Sequence, residues 1–230
     1  MPVLVLILTI AFGISPFWVP DFGGFDADQF PIPQDNPPVQ PAGYAFAIWG
    51  VIYAWLIAGS VFGVWKRRQD PAWAAMRLPL ALSMAVGAIW LPVAVLSPIW
   101  ATILIWAMLV TALWALWRSP SQDHWAASWP IGLYTGWLSA ASFVALGLLL
   151  AGYGWTSGTT AAWIMIAAAI SLAFAVQSRL QNAPTYGCAV IWALVAIAVQ
   201  NDFALIGIGG AALAGAAAMA WITLKSSTGK

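Results

Sequence analysis

The sequence predicts an all-α fold, a polytopic transmembrane helical bundle of about eight spans. Three observations lead there. Of 230 residues, 63% are hydrophobic and 7% are charged, whereas a soluble domain usually carries about 25% charge. A folded form in water would therefore expose large apolar patches. In a bilayer the backbone must be satisfied internally, by helices or by a closed barrel. The apolar runs here are near ~20 residues long and do not alternate, which selects helices over strands.

Reading for runs that cross about 30 Å of hydrocarbon gives spans at roughly 2–19, 41–65, 78–96, 99–117, 129–151, 159–178, 185–200 and 203–223. Pro41, Pro79, Pro130 and Pro184 are each assigned to the first turn of a span, where a missing N–H costs nothing. Pro92 falls inside the third span and should kink it. Ser97-Pro98 leaves a very tight hairpin between the third and fourth. The first span lacks a basic n-region and a small-x-small cleavage site, so it is read as a retained helix rather than a secretory signal.

Eight alternating spans put every basic residue on one side: Lys66, Arg67, Arg68, Arg77, Arg118, Arg179, Lys225 and Lys230. That side, with both termini, is assigned to the cytoplasm, in a bacterial-type inner membrane. Asp21, Asp26, Asp28, Asp35 and Asp202 fall opposite, while Asp70 and Asp123 share the basic side. The net charge of +1 points to no nucleic-acid partner. The partners expected are the bilayer, an apolar small molecule, and a second copy or another membrane protein.

Seventeen tryptophans need an account. Trp18, Trp65, Trp73, Trp100, Trp117, Trp125, Trp129 and Trp155 lie near span ends, where amphipathic rings anchor helices at the headgroups. Trp49, Trp55, Trp90, Trp106, Trp137, Trp163 and Trp192 lie deeper. A buried indole N–H needs a partner, so deep tryptophans either pack in the bundle or line a pocket for a flat ligand. Small residues recur every fourth position at Gly132, Gly136 and Ala140, at Gly50, Ala54 and Ala58, and at Gly207, Ala211 and Gly215. These are helix-contact faces. Thr135, Ser139 and Ser142 share one face of span five, where they either bond backbone or neighbouring helices or line a cavity.

Catalytic chemistry is sparse. No charge falls well inside a span, which removes the usual mark of a proton or ion path. His124 has one acidic neighbour, Asp123, and a metal site needs three or four ligands. Cys188 is the lone cysteine. The expectation is a non-enzymatic protein with no metal and no required cofactor.

One stretch is distinctive. Phe30-Pro-Ile-Pro-Gln-Asp-Asn-Pro-Pro-Val-Gln-Pro41 leads into Gly43-Tyr-Ala-Phe46-Ala-Ile-Trp49-Gly-Val-Ile-Tyr53. Span five then opens with Pro130, followed by Leu133-Tyr134-Thr135-Gly136-Trp137 and Ser139-Ala140-Ala141. A proline-rich loop before P-x-x-x-x-F-x-x-W-x-x-x-Y, and a P-Y-x-x-W-like opening of helix five, resemble the TspO/MBR family, the tryptophan-rich sensory proteins related to the mitochondrial translocator proteins. The resemblance covers residues 1–151, a five-helix unit, and leaves 152–230 as three additional helices and a short tail. It implies an integral membrane ligand-binding or sensory protein that binds a tetrapyrrole, such as protoporphyrin or haem, or a similar flat apolar ligand between helices two and five. Carried over, Phe46, Trp49 and Tyr53 would face Tyr134, Trp137 and Ser139 across the pocket, with Pro37, Pro38 and Pro41 stiffening the lid loop. His124 and Cys188 are poorly placed as axial ligands, so a porphyrin would be held by stacking and shape. The chain departs from the family in lacking its asparagines on helices three and five and a basic residue after Tyr153. The alternatives are a non-catalytic assembly partner and a facilitative carrier. The carrier reading rests on the recurrence of Pro41, Tyr44 and Trp49 as Pro184, Tyr186 and Trp192.

Overall fold

A computed structural model describes residues 1–19, 22–180, 182–204 and 206–228. Among them are eight α-helices: α1 (Pro2–Ile14), α2 (Ile48–Trp65), α3 (Pro71–Ala94), α4 (Pro98–Trp117), α5 (Ser128–Gly152), α6 (Gly158–Gln177), α7 (Pro184–Gln200) and α8 (Ile208–Thr228). A 3₁₀ turn, Ser15–Phe17, extends α1, and another, Gly43–Ala47, leads into α2. Six of the helices are long and apolar enough to cross a membrane, and Pro2–Phe17 and Pro184–Gln200 are shorter. The shortness of α7 is tolerable because about half of it, including Tyr186, Val190, Leu194 and Ile197, is buried within the protein.

Prolines start helices where their missing N–H is harmless: Pro2, Pro71, Pro98 and Pro184 all open one. Side chains cap three helices, Asp70 on α3, Ser97 on α4 and Ser157 on α6. Pro79 departs from its expected place. It lies inside α3, eight residues beyond Pro71 at the helix start, as does Pro92. The charge of Arg77 suggests a loop there. Instead its side chain is 7% exposed and donates from Nη2 to the Arg67 carbonyl at 2.5 Å, so the helix runs on through it. Pro41 lies in the loop before the 3₁₀ turn, and Pro130 sits at the third residue of α5.

The long, almost wholly buried α5 is the centre, packed against α4, α6 and α7 and touched by α2. On one side α3 lies between α1 and α4; on the other α8 closes against α7 and α6. Glycine sets the closest approaches. Gly136 lies against the Tyr186 backbone of α7, with a hypothetical Cβ 3.0 Å from Ala189 Cβ and overlapping the Tyr186 carbonyl oxygen. Gly132 meets Thr185 and Ala183, and Gly215 meets Ile170. The small-residue face of α5 is thus used within the bundle, as is Gly215 of α8, whereas Gly207 precedes α8 and faces open space. Gly50 of α2 faces open space and is exposed.

The bundle has a basic end and an acidic end. Lys66, Arg67, Arg68, Arg77, Arg118, Arg179 and Lys225 sit where α2, α4, α6 and α8 end and α3 begins. Asp26, Asp28, Asp35 and Asp202 sit at the other end. Asp21 and Lys230 lie outside the described residues. Trp18, Trp65, Trp100, Trp117, Trp125 and Trp155 are exposed near helix ends, as an interfacial belt requires. Trp73 is different. It is 2% exposed, packs beside Phe62, and donates from Nε1 to Asp123 Oδ2 at 3.3 Å. Trp129 is half-buried and stacks on His124.

At the basic end, Arg67 clamps Asp123 with Nε to Oδ2 at 2.7 Å and Nη2 to Oδ1 at 3.2 Å, joining the α2–α3 and α4–α5 loops. The hydrogen bond from Arg67 holds the Asp123 carboxyl below the usual carboxylate range, against an opposing effect of partial desolvation. A carboxyl depressed in the folded state stabilises above its unfolded pKa of about 3.9, and that contribution is lost as pH falls through the folded value. The wild type should therefore melt above Asp123→Asn at neutral pH, and the gap should shrink below about pH 4. Asparagine suits the test because Asp123 has φ +55°, which Asn tolerates. Melting curves in detergent across pH check this; a gap that persists unchanged at about pH 3 removes the clamp as its source.

Candidate ligand-binding site

Residues 22–42 cross the acidic end of the bundle as a cover. Hydrogen bonds pin it to the ends of α3, α5 and α7. Gln29 Nε2 donates to the Ala94 and Val95 carbonyls at 3.0 Å, Ile32 N–H to Gly152, and Ala42 N–H to Ala196. Asn201 Nδ2 donates to the Pro38 carbonyl at 3.0 Å. Phe30 seats on Gly152, where any Cβ would collide with its ring. Phe22 and Phe25 reach inward to the Trp90 ring, at centroid distances of 5.4 and 6.5 Å.

Beneath this cover lies a cavity of about 370 Å³. Its walls are Phe12, Gly13, Pro16 and Phe17 from the end of α1, Phe46, Trp49, Gly50 and Tyr53 from α2 and its leading turn, Trp90 and Leu91 from α3, and Ile105 and Met108 from α4. The wall has a flat element: Trp49 and Tyr53 stack with centroids 5.3 Å apart and planes at 17°. A helix brings i and i+4 side chains onto one face, so this pair follows from the spacing alone. Phe12 packs edge-on against Tyr53 at 4.9 Å and Trp49 at 5.8 Å. A smaller cavity of about 50 Å³ adjoins it, sharing Phe22, Phe46, Trp90 and Ile105 and adding Gln40, Pro41, Trp137 and the Ala140–Leu148 face of α5.

The residues proposed from sequence separate into two groups. Phe46, Trp49, Tyr53, Trp137 and Pro41 come together on these walls. Tyr134 and Ser139 line neither cavity. Tyr134 is fully buried behind Trp49 and Phe12, with its OH 2.8 Å from Ser83 Oγ. Ser139 Oγ donates to the Thr135 carbonyl and lies 2.9 Å from Tyr186 OH. Thr135 likewise bonds the Ile131 carbonyl. Pro37 and Pro38 shape the cover without lining either cavity. Sequence reasoning flagged Trp90 only as one of seven deep tryptophans and missed Phe12, Phe22, Phe25, Ile105 and Met108. In one dimension they are ordinary apolar residues, and only the crossing of α1, α3 and α4 brings them together.

Three of the seven deep tryptophans have hydrogen-bond partners for their indole N–H. Trp90 Nε1 donates to the Ala101 carbonyl, Trp55 Nε1 to Trp125, and Trp192 Nε1 to Ala45. Trp137 does not. Its Nε1 is buried and unpartnered, a condition shared among the described residues with Ser142 Oγ. The described residues contain no His/Cys/Asp cluster able to hold a metal, and His124 and Cys188 line neither cavity.

Comparison with known proteins gives one family. The family model described as TSPO-like protein matches residues 27–224, from the cover through most of α8. No curated protein and no solved structure matches. The family match takes in the cover, the aromatic wall of α2 and every helix after it, and the chain belongs to the TSPO-like protein family.

Proposed function

We propose that the protein is a membrane-embedded, non-catalytic binding protein for a flat apolar small molecule, held beneath the cover against the Trp49–Tyr53 wall. The observation that carries this is the cavity of about 370 Å³ with a stacked aromatic pair on its side. Small-molecule pockets span about 300–1,000 Å³ and are mainly apolar and aromatic. Flat rings pack well against offset or edge-on aromatic faces. The ligand contacts are assigned to Phe46, Trp49, Tyr53 and Trp137, with Tyr134 and Ser139 bracing the wall from behind. Family kinship supports a ligand of tetrapyrrole type. The aromatic wall suits the face of a macrocycle, but the carboxylates of protoporphyrin or haem fit less well, because no basic side chain lines either cavity. The positive-inside rule assigns the basic end and both termini to the cytoplasmic side of a bacterial-type inner membrane, so the cover faces outward.

Pyrene and protoporphyrin dimethyl ester are suitable flat, neutral probes. Titrated into the detergent-solubilised protein, at least one should quench tryptophan fluorescence saturably at micromolar concentration. Trp49→Ala should weaken that binding at least tenfold, since it removes half of the stacked pair. If neither probe gives saturable quenching, the binding function is wrong. If Trp49→Ala binds as the wild type does, the site is elsewhere.

A further inference from the structure

The chemistry of the two cavities narrows the class of ligand, a step that depends on the binding function proposed for them. The first observation is one of charge. All seven described basic side chains lie at the opposite end of the bundle, and the cover carries Asp26, Asp28 and Asp35. An anion arriving from that end meets like charge. Inside it would find apolar walls and no cation, and a buried unpaired carboxylate is strongly disfavoured.

The second observation is one of hydrogen bonding. Trp137 is 2% exposed, lines the smaller cavity, and has an Nε1–H with no acceptor. Its ring is already fixed by edge contacts with Phe46 at 5.8 Å and Trp49 at 6.3 Å. A donor left unpaired in an apolar site is costly, so a ligand that brings an acceptor there gains more than the same bond would give in water. Indole N–H is a donor only and can offer nothing to a ligand N–H or O–H.

We propose that this site selects neutral flat ligands that carry a hydrogen-bond acceptor, such as an ester, ketone or ether oxygen, which Trp137 Nε1–H binds, and that it excludes ligands with free carboxylates. The wall formed by Trp49 and Tyr53 gives affinity for the ring. Trp137 chooses among rings by their substituent.

A matched series separates these effects: pyrene, methyl 1-pyrenecarboxylate and 1-pyrenecarboxylate, which is anionic at pH 8. Binding to the full chain in neutral detergent is read from the emission of the probe itself, so that changing a tryptophan does not alter the signal. The methyl ester should bind at least tenfold more tightly than the carboxylate. Trp137→Phe, which keeps an aromatic ring and removes the donor, should weaken the ester about three- to tenfold, the span of one hydrogen bond. Because pyrene has no acceptor to lose, the ester-to-pyrene affinity ratio in this variant should fall by that same factor, while an unchanged melting temperature in detergent shows that the bundle is intact. Carboxylate binding as tight as the ester, or ester binding unchanged in Trp137→Phe, overturns the proposal while pyrene binding still upholds the site. Failure of all three probes removes the site itself.

Discussion

Gly136→Ala should destabilise the bundle more than any other single-methyl change on α5, by about 3 kcal/mol or enough to prevent folding. The added carbon has nowhere to go. It overlaps the Tyr186 carbonyl oxygen and sits 3.0 Å from Ala189 Cβ. The obstacle is backbone, so no rotamer change relieves it, and α5 and α7 must move apart. That movement would strain the Ser139–Tyr186 hydrogen bond of 2.9 Å and the Thr185 Oγ1–Trp129 carbonyl bond of 2.6 Å on the same seam. Alanine is otherwise the better helix former by about 1 kcal/mol, so the sign of the result is informative. Gly50→Ala is the control. Nothing lies within 4 Å of its would-be Cβ, and it should be neutral or slightly stabilising. Thermal unfolding of both variants in the same detergent measures the difference. A Gly136→Ala protein that melts with the wild type would mean that the two helices are not in contact there.

Tyr134→Ala should cost nearly as much, about 3–5 kcal/mol, as other deletions of a buried aromatic do. Tyr134 is 0% exposed and joins α5 to three other helices: its OH lies 2.8 Å from Ser83 Oγ on α3, and its ring contacts Phe12 on α1 and Trp49 on α2. Tyr134→Phe keeps the ring and should cost only about 1 kcal/mol, because Ser83 Oγ still has the Met108 carbonyl at 2.9 Å. The pair also tests the bracing role. Tyr134→Phe should leave pyrene binding unchanged, while Tyr134→Ala should weaken it by letting Trp49 tilt backwards. Equal loss of binding in both would make the hydroxyl itself a ligand contact.

The number and order of the helices were legible because each one carries its own evidence. An apolar run of the right length reports a helix wherever that helix packs, and Pro98 and Pro184 announce their helix starts locally. Pro79 shows the limit. Its neighbour Arg77 looks like a loop residue until the Arg67 carbonyl is brought to it in three dimensions. Trp73 fails as a belt residue for the same reason, since Asp123 comes from a loop 50 residues away. The site divides similarly. Trp49 and Tyr53 were readable because i, i+4 spacing on one helix guarantees that they meet. Tyr134 and Ser139 were expected to face them, but helix rotation decides which flank of α5 faces the cavity, and a repeat of small and hydroxyl residues does not specify that angle. The cover was expected to be stiffened by prolines. Beside the Pro38 carbonyl bonded to Asn201, its contacts with the bundle come from Phe22, Phe25, Phe30 and Gln29, whose counterparts lie on helices far along the chain.

The anchoring of the cover sets a schedule for assembly. The chain emerges from the ribosome N-terminus first, and domains fold in that order where they can. The cavity walls come from α1 to α4 and are available early. The roof is made of residues 22–42, also synthesised early, yet only its Phe22–Gln29 part can be fastened early, to α3. Ala42 waits for Ala196, Ile32 for Gly152, and Pro38 for Asn201. Contacts so distant in sequence form slowly. During biogenesis the cover is therefore held for a time by its first half alone, and it is fastened along its whole length only after α7 has entered the membrane.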